Sequence, residues 1–153
     1  MLLVGFVLMF LIQSFLHYAV KSSIEGSYQT LDKPKEAAFY RNLAPGSDRL
    51  LSYLLLLRVQ LHDNQKGRHI NYSQLDYGVL KNWLLMINQL NPESEYPALL
   101  ASRVYSSVKD RTKLQNMIDL IDEFFEKNPQ LHWRRMTEAT LLAKHQLQDL
   151  PQA

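Results

Sequence analysis

Apolar positions along the chain fall into three regimes. From Leu2 to Val20 no side chain is charged, and Leu2 to Ile12 is an unbroken apolar run save for Gly5. As a helix these nineteen residues rise about 28 Å, close to the roughly 30 Å hydrocarbon thickness of a bilayer. Polar Gln13, Ser14 and His17 interrupt the second half, and Tyr18 stands where an interfacial aromatic would anchor. The pattern predicts a transmembrane anchor over 1–20. A cleaved signal peptide is disfavoured because no Lys or Arg precedes Lys21 and no A-x-A site ends the run. An interfacial helix would need a charged face, which residues 2–20 lack.

In residues 21–46 the pattern breaks up. Ser22, Ser23, Gly26, Ser27, Pro34, Pro45 and Gly46 mark a linker with room for one short helix near Glu36 to Asn42. As a flexible chain its reach is about 28 Å.

From residue 47 onward the spacing is helical. Ser47 and Asp48 cap a helix running to about Leu61, where Asp63, Asn64 and Gly67 stop it. Ser73 with Asp76 has capping-box spacing and opens a second helix, carrying Trp83 and ending at Asn91-Pro92. A third spans roughly Glu95 to Ser107. Thr112 with Gln115 opens a fourth, whose Leu114, Met117, Ile118, Ile121, Phe124 and Phe125 recur at 3.6-residue intervals. It stops at Asn128-Pro129, and Leu131, Met136, Ala139, Ala143 and Leu147 mark a fifth. No segment alternates as a strand does, so the fold class is all-α. The run Leu50 to Leu57 is apolar on every face but too short to span a membrane, and reads as the central core helix; the alternative is a docking face for a partner helix.

Helix, turn, helix and Asn-Pro occur twice, with Asn91-Pro92 and Asn128-Pro129 separated by 37 residues and aromatics following at Tyr96 and Trp133. Periods of this size in helix pairs signal a stacked α-solenoid. Leu90-Asn91-Pro92, Lys127-Asn128-Pro129, Phe124-Phe125 and the tail Leu147 to Ala153 resemble parts of tetratricopeptide (TPR) repeats. The resemblance covers about Gln74 to Ala153, departing from the family in its spacing and in lacking a small residue near Tyr105. It implies a TPR-like helical domain over 47–153, with a concave face that binds a peptide or a partner's helix. If Leu147 to Ala153 is an inter-helix turn, the expectation is either a fragment of a longer array, the favoured reading, or a terminal helix that caps the stack; exposed Leu142 and Leu147 would support the fragment, and burial of both would oppose it.

Composition narrows the chemistry. There is no cysteine, which removes disulfides, thiolate metal sites and a cysteine nucleophile. The 17 basic and 15 acidic residues are interspersed, so no field is concentrated for nucleic acid. Nucleotide and nucleophile-elbow motifs are absent, and the five histidines form no i,i+4 pair. No small-molecule substrate, cofactor or catalytic residue is evident, and the chain does not read as an enzyme. Asp119, Asp122, Glu123 and Glu126 read as a solvated face, and Trp83, Trp133 and Tyr96 as core or turn packing. Arg134, Arg135, Lys144 and His145 make the fifth helix basic and are the candidate residues for an acidic peptide end. The expectation is a membrane-anchored scaffold for an unidentified protein partner, contacting lipid through residues 1–20. The layout suits a bacterial inner membrane, and Lys21, Lys33 and Lys35 place the helical domain on the cytoplasmic side.

Overall fold

The computed structural model describes residues 9–14, 31–43, 46–62, 64–65, 68–69 and 72–147. The chain divides into two units, Met1–Thr30 and Leu31–Ala153. In the first, residues 9–14 are helical and Met9, Phe10, Leu11 and Ile12 are exposed. No helix among the described residues is long and apolar enough to cross a membrane, and the rest of the expected anchor lies outside them.

The second unit is all-α. Its helices are α1 (Ala37–Leu43), α2 (Asp48–Leu61), α3 (Tyr77–Leu90), α4 (Tyr96–Arg103), α5 (Arg111–Lys127) and α6 (Pro129–Leu142), and α6 runs on into a π turn at Ala143–Leu147. The loop after α2 holds a two-residue antiparallel ladder pairing Asn64 with His69 and Gln65 with Arg68. The unit begins at Leu31, so residues expected as linker belong to it. Ala37 and Tyr40 on α1 are buried, and the Trp83 indole N–H donates to the Asp32 carbonyl at 2.7 Å.

Helix boundaries follow side-chain capping. Ser47 caps α2, its hydroxyl accepting from the Leu50 N–H. Before it Gly46 holds φ +153, a conformation L side chains rarely adopt. The two capping boxes are corrected: Asp76, not Ser73, caps α3 by accepting from the Gly78 and Val79 N–H groups, and Asp110, not Thr112, caps α5 by accepting from Lys113. A carboxylate at the first extended position satisfies the orphan donors with a full charge against the positive end of the helix. Ser73 instead lies in a short 3-10 turn, Tyr72–Gln74, and Thr112 is already inside α5. The third helix is also shorter than its pattern suggested, breaking at Val104 into a 3-10 turn at Tyr105–Ser107.

The two Asn-Pro stops are structurally alike. Asn91 ends α3 at φ −142, ψ 80 and Asn128 ends α5 at φ −148, ψ 82, each donating its N–H to the carbonyl four residues back. Their continuations differ. Asn128 also caps α6, whose first residue is Pro129, whereas Asn91-Pro92 enters a turn before α4.

α3 packs against α2, α4 and α5, while α4 packs against both α5 and α6, and α6 lies along α5. The core sits among these helices: Leu80, Trp83, Leu84 and Ile87 from α3, Ala98 and Ala101 from α4, and Leu114, Met117, Leu120, Ile121 and Phe124 from α5. The Tyr77 hydroxyl donates to the Tyr105 carbonyl at 2.9 Å and ties the start of α3 to the turn after α4. At the far end Leu147 is buried, Leu142 is partly buried against the core, and Arg111 donates to the Leu147 carbonyl.

Candidate functional site

Small and charged residues meet where α4 ends beside the middle of α6. Ser102 and Arg103 are the last two residues of α4, and Glu138 faces them from α6. The Glu138 carboxylate accepts from Arg103 Nε at 3.1 Å and Nη2 at 2.5 Å, from Ser102 Oγ at 2.7 Å, and from Arg135 Nη1 at 2.8 and 2.9 Å. Burial opposes ionisation of Glu138, but the bonds from Arg103 and Ser102 and the charges of both arginines outweigh it and hold the carboxyl below its usual range. Two guanidinium groups on one carboxylate leave the cluster one positive charge in excess. Beside it an open groove of about 420 Å³ is lined by Ser102, Arg103, Glu138, Leu141, Leu142, His145 and Gln146. Leu141 and Leu142 are its apolar lining, beside the exposed guanidinium of Arg103.

The four basic candidates do not form one face. Arg135 is buried and spent on Glu138. Arg134, about 100° further round the helix or its reverse as neighbours must be, is exposed and lies over the Trp133 ring at 5.2 Å. Lys144 and His145 are exposed in the π turn, and of the four only His145 lines the groove. Arg103 is the cation that sequence reasoning missed. It is 35 residues from Glu138, and no local spacing links the two.

His132 was also missed. It is only 1% exposed, its ring lies 5.6 Å from that of Phe124, and its Nδ1 has no hydrogen-bond partner among the described residues. Burial lowers its pKa, as does Arg135, while Glu95 raises it. Arg135 Nε and Asn88 Oδ1 are likewise buried without a partner among the described residues.

Two aromatic assignments change. Trp83 is core as expected, but Tyr96 and Trp133 are 52% and 55% exposed, each near the start of the second helix of its pair. The acidic face of α5 is solvated as expected. Asp119, Asp122 and Glu126 are exposed, and Glu123 forms an i,i+4 pair with Lys127 at 2.8 Å. Among the described residues no three His, Asp or Glu side chains gather as metal ligands.

The larger correction concerns α2. Leu51, Ser52, Leu55, Leu56 and Val59 are buried, yet Leu50, Leu54, Leu57 and Leu61 are 60%, 54%, 49% and 55% exposed. At 100° per residue these four fall within an arc of roughly 60° on the side opposite the buried set. Tyr53 flanks them and meets Tyr96 edge to face, ring centroids 5.9 Å apart. A helix with two apolar faces can bury only one against its own domain. Completing the burial of the four leucines would contribute roughly 3–6 kcal/mol, taking half of the 1.5–3 kcal/mol of a fully buried leucine for each.

Comparisons of the chain with family models, with curated proteins and with solved structures find no match.

Proposed function

We propose that this chain is a membrane-anchored, TPR-like scaffold that binds a partner protein. The observation that carries the reading is the groove between α4 and α6, lined by the apolar Leu141 and Leu142 and by the guanidinium of Arg103. An acidic peptide end suits it: the carboxylate would compete with Glu138 for the exposed Arg103, and an apolar side chain would lie against the leucines. The stacking of α3–α4 on α5–α6, with matching Asn stops, supports a helical-repeat reading. The apolar run of residues 1–20 supports the anchor, and the lysines after it support a cytoplasmic placement, in the inner membrane of a bacterium.

Capture from solubilised membranes tests the groove. Arg103→Glu is expected to lose a partner that the native chain retains, with Arg134→Glu as the control that leaves capture unchanged. Equal recovery on native chain and Arg103→Glu would reject the groove. Removing residues 1–20 is expected to release the chain from the membrane fraction; retention would place attachment elsewhere.

A second reading, an accessory subunit of a larger membrane complex with no peptide groove, is favoured by the exposed leucines of α2. It predicts that capture fails on substituting those leucines and is indifferent to Arg103.

A further inference from the structure

Both bonds from Arg103 fall on one oxygen of Glu138, Oε1, at 3.1 Å from Nε and 2.5 Å from Nη2. Arg135 Nη1 reaches that oxygen at 2.9 Å and Oε2 at 2.8 Å, and Ser102 Oγ donates to Oε2 at 2.7 Å. Taking Arg103 away therefore leaves neither carboxylate oxygen bare. Oε1 keeps Arg135, and Oε2 keeps Arg135 and Ser102.

The two arginines differ in what leaving would cost. The Arg135 side chain is 10% exposed and sits on the same helix as Glu138, so parting that pair would strand a buried charge. The Arg103 side chain is 64% exposed at the last residue of α4, where water screens its attraction to Glu138. Arg135 and Ser102 thus fix the carboxylate, and Arg103 is the partner able to exchange. A second carboxylate arriving in the groove offers Arg103 the same charge and the same paired acceptors. A neutral amide offers one weaker acceptor and no charge. Leu141 and Leu142, three and four residues after Glu138 on α6, add an apolar contact that Glu138 itself does not make with Arg103.

We propose that Glu138 is an internal competitor in this groove, holding the Arg103 guanidinium until the carboxylate of a partner's peptide end exchanges with it. The inference rests on the groove reading and gives it a threshold: a ligand must bring a carboxylate together with apolar surface before the internal contact yields.

The probe is N-acetyl-leucine, a carboxylate beside an isobutyl group, titrated into the full chain in detergent micelles while the Arg103 Nε–H resonance is followed by NMR. Arg135→Met with Glu138→Gln removes the competitor together with its buried counter-charge, so the cluster keeps its excess positive charge and no cation is stranded. That double variant is expected to bind the probe roughly 3- to 10-fold more tightly than the native chain, the weight of one half-exposed, doubly hydrogen-bonded ion pair. N-acetyl-leucinamide should bind neither chain. Were Glu138 merely structural, its loss would shift affinity the other way. Circular dichroism and urea unfolding establish that the double variant folds. Glu138→Asp, which keeps a carboxylate for Arg135 but draws it back from Arg103 by one methylene, is expected to tighten binding by a smaller factor, and reads the same effect without emptying the buried pair. A native chain that binds the probe while neither variant binds it more tightly would overturn the competitor and leave the groove standing. A probe that binds none of the chains, or binds equally well after Arg103→Gln, would overturn the groove and the competitor with it.

Discussion

α2 and α5 are both rich in large apolar residues, and they end in opposite situations. α5 separates its residues: Leu114, Met117, Ile118, Leu120, Ile121 and Phe124 are buried while Asp119, Asp122 and Glu126 face solvent. α2 carries leucine on both sides and leaves four of them about half exposed. Burial thus tracks the segregation of apolar from polar positions and not apolar content. A segregated helix has one face that any packing must cover; one with two apolar faces is covered on the side that its own domain reaches.

The sharpest way to break this contrast is to truncate the centre of the α5 face. Phe124 is fully buried against His132, and Phe124→Ala is expected to cost about 3–5 kcal/mol, the usual range for an aromatic removed from a tight core. Urea unfolding followed by circular dichroism measures it. A loss below 1 kcal/mol would mean that α5 is no better packed than the outer face of α2.

Capping sharpens the same comparison at the helix ends. Asp110→Ala is expected to destabilise the domain by about 1 kcal/mol and Thr112→Ala by much less, because the Lys113 N–H bonds to the aspartate. The opposite ranking in thermal melts would return the cap to Thr112. A hydroxyl three residues before Gln or Asp has capping-box spacing wherever it falls, but the cap belongs to whichever acceptor stands at the extended residue just before the first helical turn. Element type and approximate position were legible for every helix from Asp48 onward. The Ser47 cap of α2 was legible too, but the starts of α3 and α5 were not, since Ser73 and Thr112 each share the neighbourhood with an aspartate that accepts more strongly.

The site was less legible than the fold. Arg103 and Glu138 meet only because α4 packs on α6, and nothing local announces a pairing across 35 residues. Arg134 and Arg135 read as one basic patch in sequence, yet consecutive helical residues diverge by about 100°, so one is buried in an ion pair and the other is outside. In α2 an all-apolar run gives no way to tell which face the domain will use. Half of it belongs to the core as expected, and the rest lends itself to the docking alternative.

The histidine buried beside Phe124 gives α5 a pH signature that the outer face of α2 lacks. His132 has a folded pKa below its ordinary 6.5, chiefly through burial. The unfolded chain therefore binds the proton more readily, and stability is complete above pH 6.5 and falls as pH drops from there through the folded value. His132→Phe is expected to reduce the loss between pH 7 and pH 5 in urea titrations. Part of the slope should remain, because His62 is also lowered by burial and by Arg58. An unchanged slope would remove His132 from the account.

The smallest effect belongs to the leucines themselves. Leu54→Gln, measured at concentrations below any association, is expected to change folding stability by no more than about 0.5 kcal/mol, the range of surface substitutions that touch no cap, core or ion pair. Its side chain is already about half solvated, and glutamine retains the methylene stem and helix propensity. A loss of 2 kcal/mol or more, near the lower end of what burying a leucine contributes, would show that the chain's own residues cover this face. The contrast with α5 would then collapse into two helices equally committed to one core. Near-neutrality would leave the outer face of α2 outside the folded core, with the contrast to α5 intact.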